Sequence, residues 1–135
     1  MRRIFLGTCF LLALLAVHTR AATPTPNLAP ELRDIFKTLT GTEPGSLVGK
    51  EFTATVTLKY ASKTLLVFSD AFIEQSPGHE YQIARWEFAP ELADGLVGSK
   101  DIKVSVRFRI ESLHTEDPKM PYFAAKVLSL TRLPE

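Results

Sequence analysis

Apolar and polar side chains alternate strictly along the stretch Ile102-Lys103-Val104-Ser105-Val106-Arg107-Phe108-Arg109-Ile110. A period of two predicts a half-buried β-strand, because successive side chains of a strand point to opposite faces of the sheet. The alternation therefore predicts that Val106 and Phe108 lie in the core, while Arg107 between them faces solvent. This is the cleanest strand pattern in the chain.

Four further strands are predicted around this one, and the five lie at residues 52–60, 64–73, 81–88, 102–110 and 122–133. The first alternates apolar residues with Thr and Lys, and the second is nearly all apolar, as expected of a strand covered on both faces. Pro77 and Gly78 suit the central pair of a type II turn between the second and third strands. The first three strands are therefore predicted to form an antiparallel meander.

Two short helices accompany the strands. Pro30 suits the first turn of a helix, and Leu32, Ile35, Phe36 and Leu39 then recur at the spacing of one apolar helical stripe. The sequence thus predicts an amphipathic helix and turn over residues 30–45, preceded by a proline-containing extended linker at 22–29. A helical insert is predicted between strands three and four, from Pro90 to Gly95.

Residues 1–21 have the three parts of a secretory signal peptide. Arg2 and Arg3 precede an apolar run from Ile4 to Val17, and small residues follow, so cleavage is expected after Ala21. The run is shorter than the roughly 18 to 20 residues that span a bilayer. A mitochondrial presequence is the alternative. The only cysteine, Cys9, lies inside the run, so the mature chain is expected to have no disulfide and no thiolate ligand for zinc.

The charge balance bears on the kind of partner. The full chain has a formal charge of +1, but removal of Arg2, Arg3 and Arg20 leaves 13 basic and 15 acidic side chains, a net charge of −2. A strongly basic polyanion binder is therefore excluded, because phosphate binding relies on clustered Lys and Arg. The 45% hydrophobic and 23% charged residues are typical of a folded domain, predicted here at residues 46–135.

Gly49-Lys50-Glu51-Phe52 opens a long strand, a short insert follows at 90–95, and the strand at 104–110 is followed by that at 122–127. This order of elements resembles the OB-fold superfamily, and in particular the small OB-fold proteins exported by bacteria. It implies a mainly β protein with a five-stranded OB-like antiparallel barrel, a short N-terminal amphipathic helix and a short helical insert. A five-stranded sandwich or another small barrel is the alternative architecture.

The resemblance also implies where a ligand would bind, since OB-folds bind over strands 2 and 3 between the 1–2 and 4–5 loops. Aromatic rings beside basic groups suit a base or a sugar ring. The candidate ligand-binding residues are Tyr60, Lys63, Trp86, Arg107, Arg109 and Tyr122, drawn from a wider aromatic and basic set that includes Arg85 and Lys103. The competing interpretation is that Trp86 packs in the core while the arginines form an ordinary solvated face.

No catalytic motif, cofactor-binding motif or metal-ligand spacing is recognised, and His79 and His114 read as parts of polar turns. We therefore expect no catalytic residue, no cofactor and no metal. The sequence favours a secreted or periplasmic, non-enzymatic binding module for a protein or a small ligand, with no transmembrane span in the mature chain. Two alternatives remain open at this point: an organellar single-stranded nucleic-acid-binding protein, and a secreted enzyme with a dispersed polar site.

Overall fold

The structure, a computed structural model, describes residues 21–135, so the predicted signal peptide lies outside the described residues except for Ala21. This part of the chain contains one α-helix, eight strands and two 3-10 turns. The helix is α1 (Pro30–Leu39), and the 3-10 turns are Pro44–Leu47 and Pro90–Ala93. The strands are β1 (Thr23–Pro24), β2 (Glu51–Ala61), β3 (Leu66–Phe68), β4 (Phe72–Ser76), β5 (His79–Gln82), β6 (Ala84–Glu87), β7 (Ile102–His114) and β8 (Tyr122–Arg132).

Five strands form a nearly closed, barrel-like sheet in the order β3-β2-β7-β8-β6. Every neighbouring pair is antiparallel except β6 and β8, which run parallel. The expectation of a wholly antiparallel barrel is therefore corrected to a mixed one. The reason is topological: the chain leaves β6, passes through the 3-10 turn and the whole of β7, and returns along β8 in the direction of β6, as a parallel pair requires.

The predicted second and third strands are each formed in two pieces, and the outer pieces make a separate sheet, β1-β4-β5. The second strand breaks at Asp70, a carboxylate that is only 8% exposed. Its oxygens accept hydrogen bonds from the backbone N–H of Thr57 at 2.8 Å and from the Thr57 hydroxyl at 3.3 Å. The hairpin of β4 and β5 turns at Pro77 and Gly78, where Gly78 takes the positive φ of 80° that a type II turn requires.

The alternation in β7 is confirmed by its burial. Val106 and Phe108 are fully buried, and Arg107 between them is exposed. Phe108 belongs to an aromatic cluster at the centre of the barrel, in which the Trp86 ring meets Phe68, Phe108 and Phe123 edge-on at centroid distances of 5.3, 5.1 and 6.2 Å. This orthogonal geometry is the one that the aromatic quadrupole favours.

The N-terminal segments pack on the barrel. The four apolar residues of the α1 stripe are all buried in the same core as the strands. The segment 22–29, expected as a linker, adds β1 to the edge of β4, and the hydroxyl of Thr25 donates a hydrogen bond to the carbonyl of Phe72 at 3.0 Å. Residues 22–29 are thus attached to the domain along their length. Within residues 21–135, no helix has the length and apolarity that a bilayer span requires.

Candidate functional site

A cavity of about 430 Å³ opens over the second and third strands of the barrel. Three segments form its wall. The first is the end of the β2–β3 loop with the start of β3, and the second is the third predicted strand, which comprises β5 and β6. The third is the start of β8, together with Met120 two residues before it. The lining residues are Thr64, Leu65, Leu66, Tyr81, Gln82, Ala84, Arg85, Trp86, Met120 and Tyr122. Its volume lies within the range of about 300 to 1,000 Å³ that is usual for small-molecule sites.

The structure brings only part of the predicted site together. Trp86 and Tyr122 line the cavity, and Tyr60 and Lys63 lie in the segment that leads to its rim at Thr64. Arg107 and Arg109 do not line it. They lie on β7 opposite the first residues of β2, a part of the barrel sheet that contributes no residue to the cavity.

The two arginines of β7 are engaged in ion pairs. Arg107 donates to the carboxylate of Glu51 at 2.8 Å across the β2–β7 pair. Arg109 donates to Glu111, two residues further along the same strand, at 3.0 Å. Both pairs are substantially exposed, so each contributes little to stability. Each cation is nevertheless already paired with a neighbouring carboxylate.

Trp86 contributes mainly to the core. It is 8% exposed, and three phenylalanine rings surround its indole. Its Nε1 is buried without a hydrogen-bond partner among the described residues. Only the remaining exposed part of Trp86 reaches the cavity, so this residue closes the cavity on the core side and presents no broad face for stacking.

Two tyrosines fix the shape of the cavity on the side of the β7–β8 loop. The hydroxyl of Tyr81 donates a hydrogen bond to the carbonyl of Pro121 at 2.8 Å. Burial raises the pKa of Tyr81 well above its usual value of 10.0, and the nearby Asp117 carboxylate adds to this, so the hydroxyl stays protonated as a donor. Tyr122 stacks on His114 with ring centroids 4.6 Å apart and nearly parallel planes.

Tyr60 is 51% exposed although it follows the apolar face of β2 in sequence. A β-bulge explains this, because the register between β2 and β3 shifts between Leu58 and Tyr60. A bulge adds one residue and reverses the faces beyond it. Ala61 takes the next buried position in place of Tyr60. The alternation of β2, read as continuing to Tyr60, was therefore wrong at its last residue.

Arg85 was left out of the predicted ligand-binding residues, and it is the arginine that lines the cavity. Its side chain is exposed, and it forms no ion pair with any residue of 21–135. The sequence signal for Arg85 was its position beside Trp86 in the third strand, where alternation turns it outward. Tyr81, Gln82 and Met120 were also missed, because nothing in their local sequence distinguishes them from other residues of a strand end or a loop.

Comparison of the sequence with protein-family models, with curated proteins and with solved structures gave no match. In the part of the chain that the structure describes, no three His, Cys, Asp or Glu side chains are grouped as a metal would require. His79 is an exposed residue of the β4–β5 hairpin, while His114 is held by Tyr122 and by a 3.2 Å hydrogen bond with the Ser112 hydroxyl.

Proposed function

We propose that this chain is an exported, non-enzymatic binding module with an OB-like barrel, which recognises a protein or small ligand through the cavity over its second and third strands. One observation carries the proposal. The cavity lies over those two strands and is flanked by residues of the β2–β3 loop on one side and of the β7–β8 loop on the other. An OB-fold is a partly open five-stranded barrel that binds ligands in this position.

The chemistry of the cavity wall supports a binding role. Leu65 and Met120 provide apolar surface, Tyr81 and Tyr122 provide rings held by neighbouring groups, and Arg85 provides a cation without an intramolecular partner among the described residues. An apolar wall with a few fixed polar groups is the usual composition of a ligand site. The free guanidinium favours a ligand that carries a carboxylate or another anionic group.

Export rests on the sequence of residues 1–21, whose basic start, apolar run and small residues are those of a signal peptide. N-terminal sequencing of the protein recovered from separated cell fractions tests this part of the proposal. We expect a mature chain that begins at Ala22 in the exported fraction. A cytosolic pool that retains residues 1–21 would contradict export and leave the binding role to be judged separately.

Binding at the cavity is tested by saturation-transfer NMR of the purified protein with a panel of aromatic carboxylates, sugars and short peptides. Thr64 is an exposed rim residue, so Thr64→Trp fills the cavity from outside without disturbing the core. Thr55→Trp is the matched control, because Thr55 is exposed on β2 and does not line the cavity. The expected result is a set of ligands lost in Thr64→Trp and retained in Thr55→Trp. Ligands that bind both variants equally would refute the assignment of this cavity.

A further inference from the structure

The side chains that line the cavity over the second and third strands include a cation and no carboxylate. Arg85 is the cation, and neither Asp nor Glu occurs among the described residues of the wall. Within residues 21–135, Arg85 forms no ion pair. A guanidinium in a cavity wall without an acidic partner is suited to an anionic group supplied by a ligand.

The neighbours of Arg85 on the sheet explain why it has no acidic partner. Arg85 and Glu87 are the two exposed residues of β6 and lie on the same face. In the pairing of β6 with β8, Arg85 is aligned with Ala124, and Glu87 is aligned with Lys126. Ala124 is aligned in turn with Ser112 of β7. Glu87 therefore has a cation beside it on the next strand, whereas the row that contains Arg85 is otherwise uncharged.

Gln82 contributes a second hydrogen-bond donor to the same wall. Its Oε1 accepts a hydrogen bond from the backbone N–H of Phe68 at 3.4 Å. This bond fixes the orientation of the amide, because the oxygen is its only acceptor. The Nε2 group forms no hydrogen bond with the described part of the chain, so Gln82 has its acceptor in use and its donor available.

The wall is correspondingly poor in side-chain acceptors. The hydroxyl of Tyr81 donates to the carbonyl of Pro121, and the hydroxyl of Thr64 lies 3.4 Å from that of Ser62. A sugar hydroxyl donates as well as accepts, so it needs an acceptor in the wall, whereas a carboxylate needs donors alone. With no carboxylate among these side chains and the amide oxygen of Gln82 already used, the wall suits a carboxylate better than a sugar.

The remainder of the wall suits an apolar group. Leu65 is 49% exposed at the rim, and Met120 is half-buried at the end of the β7–β8 loop. The flexible thioether of methionine adapts to ligands of different shape. His114 stacks on Tyr122 and covers one face of its ring, so a ligand can contact the other face. Apolar contact is thus available in the same cavity as the guanidinium.

Two carboxylates near the cavity, neither of them in its wall, limit the charge of a ligand. Glu87 follows Arg85 by two residues on the same face of β6. Burial and, after it, the Asp117 carboxylate raise the pKa of Tyr81, so Asp117 also lies near the wall. Like charges brought together across an interface oppose binding. A ligand with one negative charge is therefore favoured over a dianion such as a phosphate monoester.

We propose that the cavity binds a small monocarboxylic acid with an apolar body, whose carboxylate pairs with Arg85 and whose apolar part packs against Leu65 and Tyr122. This inference rests on the proposed function and specifies its ligand. The planar fork of a guanidinium matches the two oxygens of a carboxylate, so the pair is directional as well as attractive. The Nε2 donor of Gln82 favours the same end of the ligand.

The test is isothermal titration calorimetry of the purified protein with octanoate and hydrocinnamate, each compared with its primary amide. The amide keeps the shape of the acid and lacks its charge. We expect each acid to bind about tenfold more tightly than its amide, which is the difference between a charge-assisted and a neutral hydrogen bond. Phenethyl phosphate, measured at a pH at which it is a dianion, should bind more weakly than hydrocinnamate.

Variants at the wall assign the effect to particular groups. Arg85→Gln should weaken the acids by about tenfold to a hundredfold and leave the amides nearly unchanged. Arg132→Gln is the matched control, because Arg132 is exposed on β8 and does not line the cavity. Gln82→Glu keeps an acceptor for the N–H of Phe68 and replaces the donor by a negative charge, so it should weaken the acids more than the amides.

Failure of this inference is distinguishable from failure of the proposed function. Acids that bind no more tightly than their amides, or that bind Arg85→Gln as tightly as wild type, overturn the inference. If neutral ligands nevertheless bind and are lost in Thr64→Trp, the binding module stands and only the ligand class is refuted. If neither acids nor neutral ligands bind, both proposals fall. Acids that need Arg85 but bind Thr64→Trp like wild type also refute the inference, because Arg85 then acts outside the cavity.

Discussion

Replacing Phe108 by alanine removes the side chain that joins β2 and β7 to the aromatic cluster of the barrel. Phe108 is fully buried, and its ring centroid lies 5.1 Å from that of Trp86, 5.9 Å from that of Phe52 and 6.0 Å from that of Phe123. Burial of such a side chain stabilises by about 1.5 to 3 kcal/mol, and the cavity left by truncation brings Phe→Ala to about 3 to 5 kcal/mol. Three aromatic contacts, each contributing about 0.5 to 1.5 kcal/mol, are lost as well. We therefore expect a loss in the upper part of that range, about 4 to 5 kcal/mol.

The assay is urea unfolding followed by tryptophan fluorescence, which reports on Trp86, the single tryptophan of the chain. Arg107→Ala is the matched control, because Arg107 is the preceding residue of the same strand and points to solvent. Its exposed ion pair with Glu51 should contribute no more than about 1 kcal/mol. The two variants therefore differ in which face of one strand they alter.

A small domain has a total stability of about 5 to 15 kcal/mol, so Phe108→Ala can leave too little folded protein for a transition to be fitted. Phe108→Leu keeps much of the volume, and we expect it to lower the free energy of unfolding by about 1 to 3 kcal/mol. The reasoning is refuted if Phe108→Ala costs less than about 1 kcal/mol. It is equally refuted if Arg107→Ala destabilises as much as Phe108→Leu does.

Three further predictions address other parts of the molecule. Asp70→Ala should cost about 1 to 3 kcal/mol in urea unfolding, because it leaves the N–H of Thr57 without an acceptor, and removal of the exposed Lys103 amine 3.9 Å away should cost no more than about 1 kcal/mol. Burial raises the pKa of Tyr81, so the protonated hydroxyl contributes fully to stability below pH 10.0, and this contribution is lost as the pH rises further. The difference in the free energy of unfolding between wild type and Tyr81→Phe should therefore shrink above pH 10.0. A difference that stays constant would contradict this. Fluorescence anisotropy should detect no salt-sensitive binding of single-stranded DNA or RNA at micromolar concentration, because the arginines of β7 are ion-paired and the chain beyond residue 21 has a net charge of −2; sub-micromolar binding that weakens steeply with salt would favour the organellar alternative.

The elements with a clean periodic pattern could be predicted from the sequence. β7 alternates without interruption to Ile110, and α1 has its four apolar residues on one stripe, so both have the burial that their patterns indicate. α1 also ends where predicted, whereas β7 continues beyond the predicted end to His114. In these segments one energetic term, the burial of apolar side chains, decides the structure. Periodicity reports on that term directly.

Errors arose where a local hydrogen bond or a bulge competes with the hydrophobic pattern. The bulge near Lys59 exposes Tyr60, and no residue type in that stretch announces it. The parallel pairing of β6 with β8 depends on contacts between segments distant in sequence, which strand patterns do not encode. The same limit applies to the site, because Arg85 and Tyr122 line one cavity from two strands, β6 and β8, that pair in parallel.

Asp70 is a single residue that affects both the path of the second predicted strand and the wall of the candidate site. In a run of apolar residues it is the one charged side chain, and it is buried because Thr57 supplies two hydrogen bonds to its carboxylate. Those bonds hold Asp70 close to β2, and the residues on either side of it have different neighbours. β3, which precedes Asp70, pairs with β2, whereas the carbonyl of Ala71 accepts a hydrogen bond from the N–H of Ile83 in the third predicted strand. The carboxylate that interrupts the hydrophobic pattern therefore also helps to fix the path of β3, whose first residue, Leu66, lines the cavity where binding is proposed.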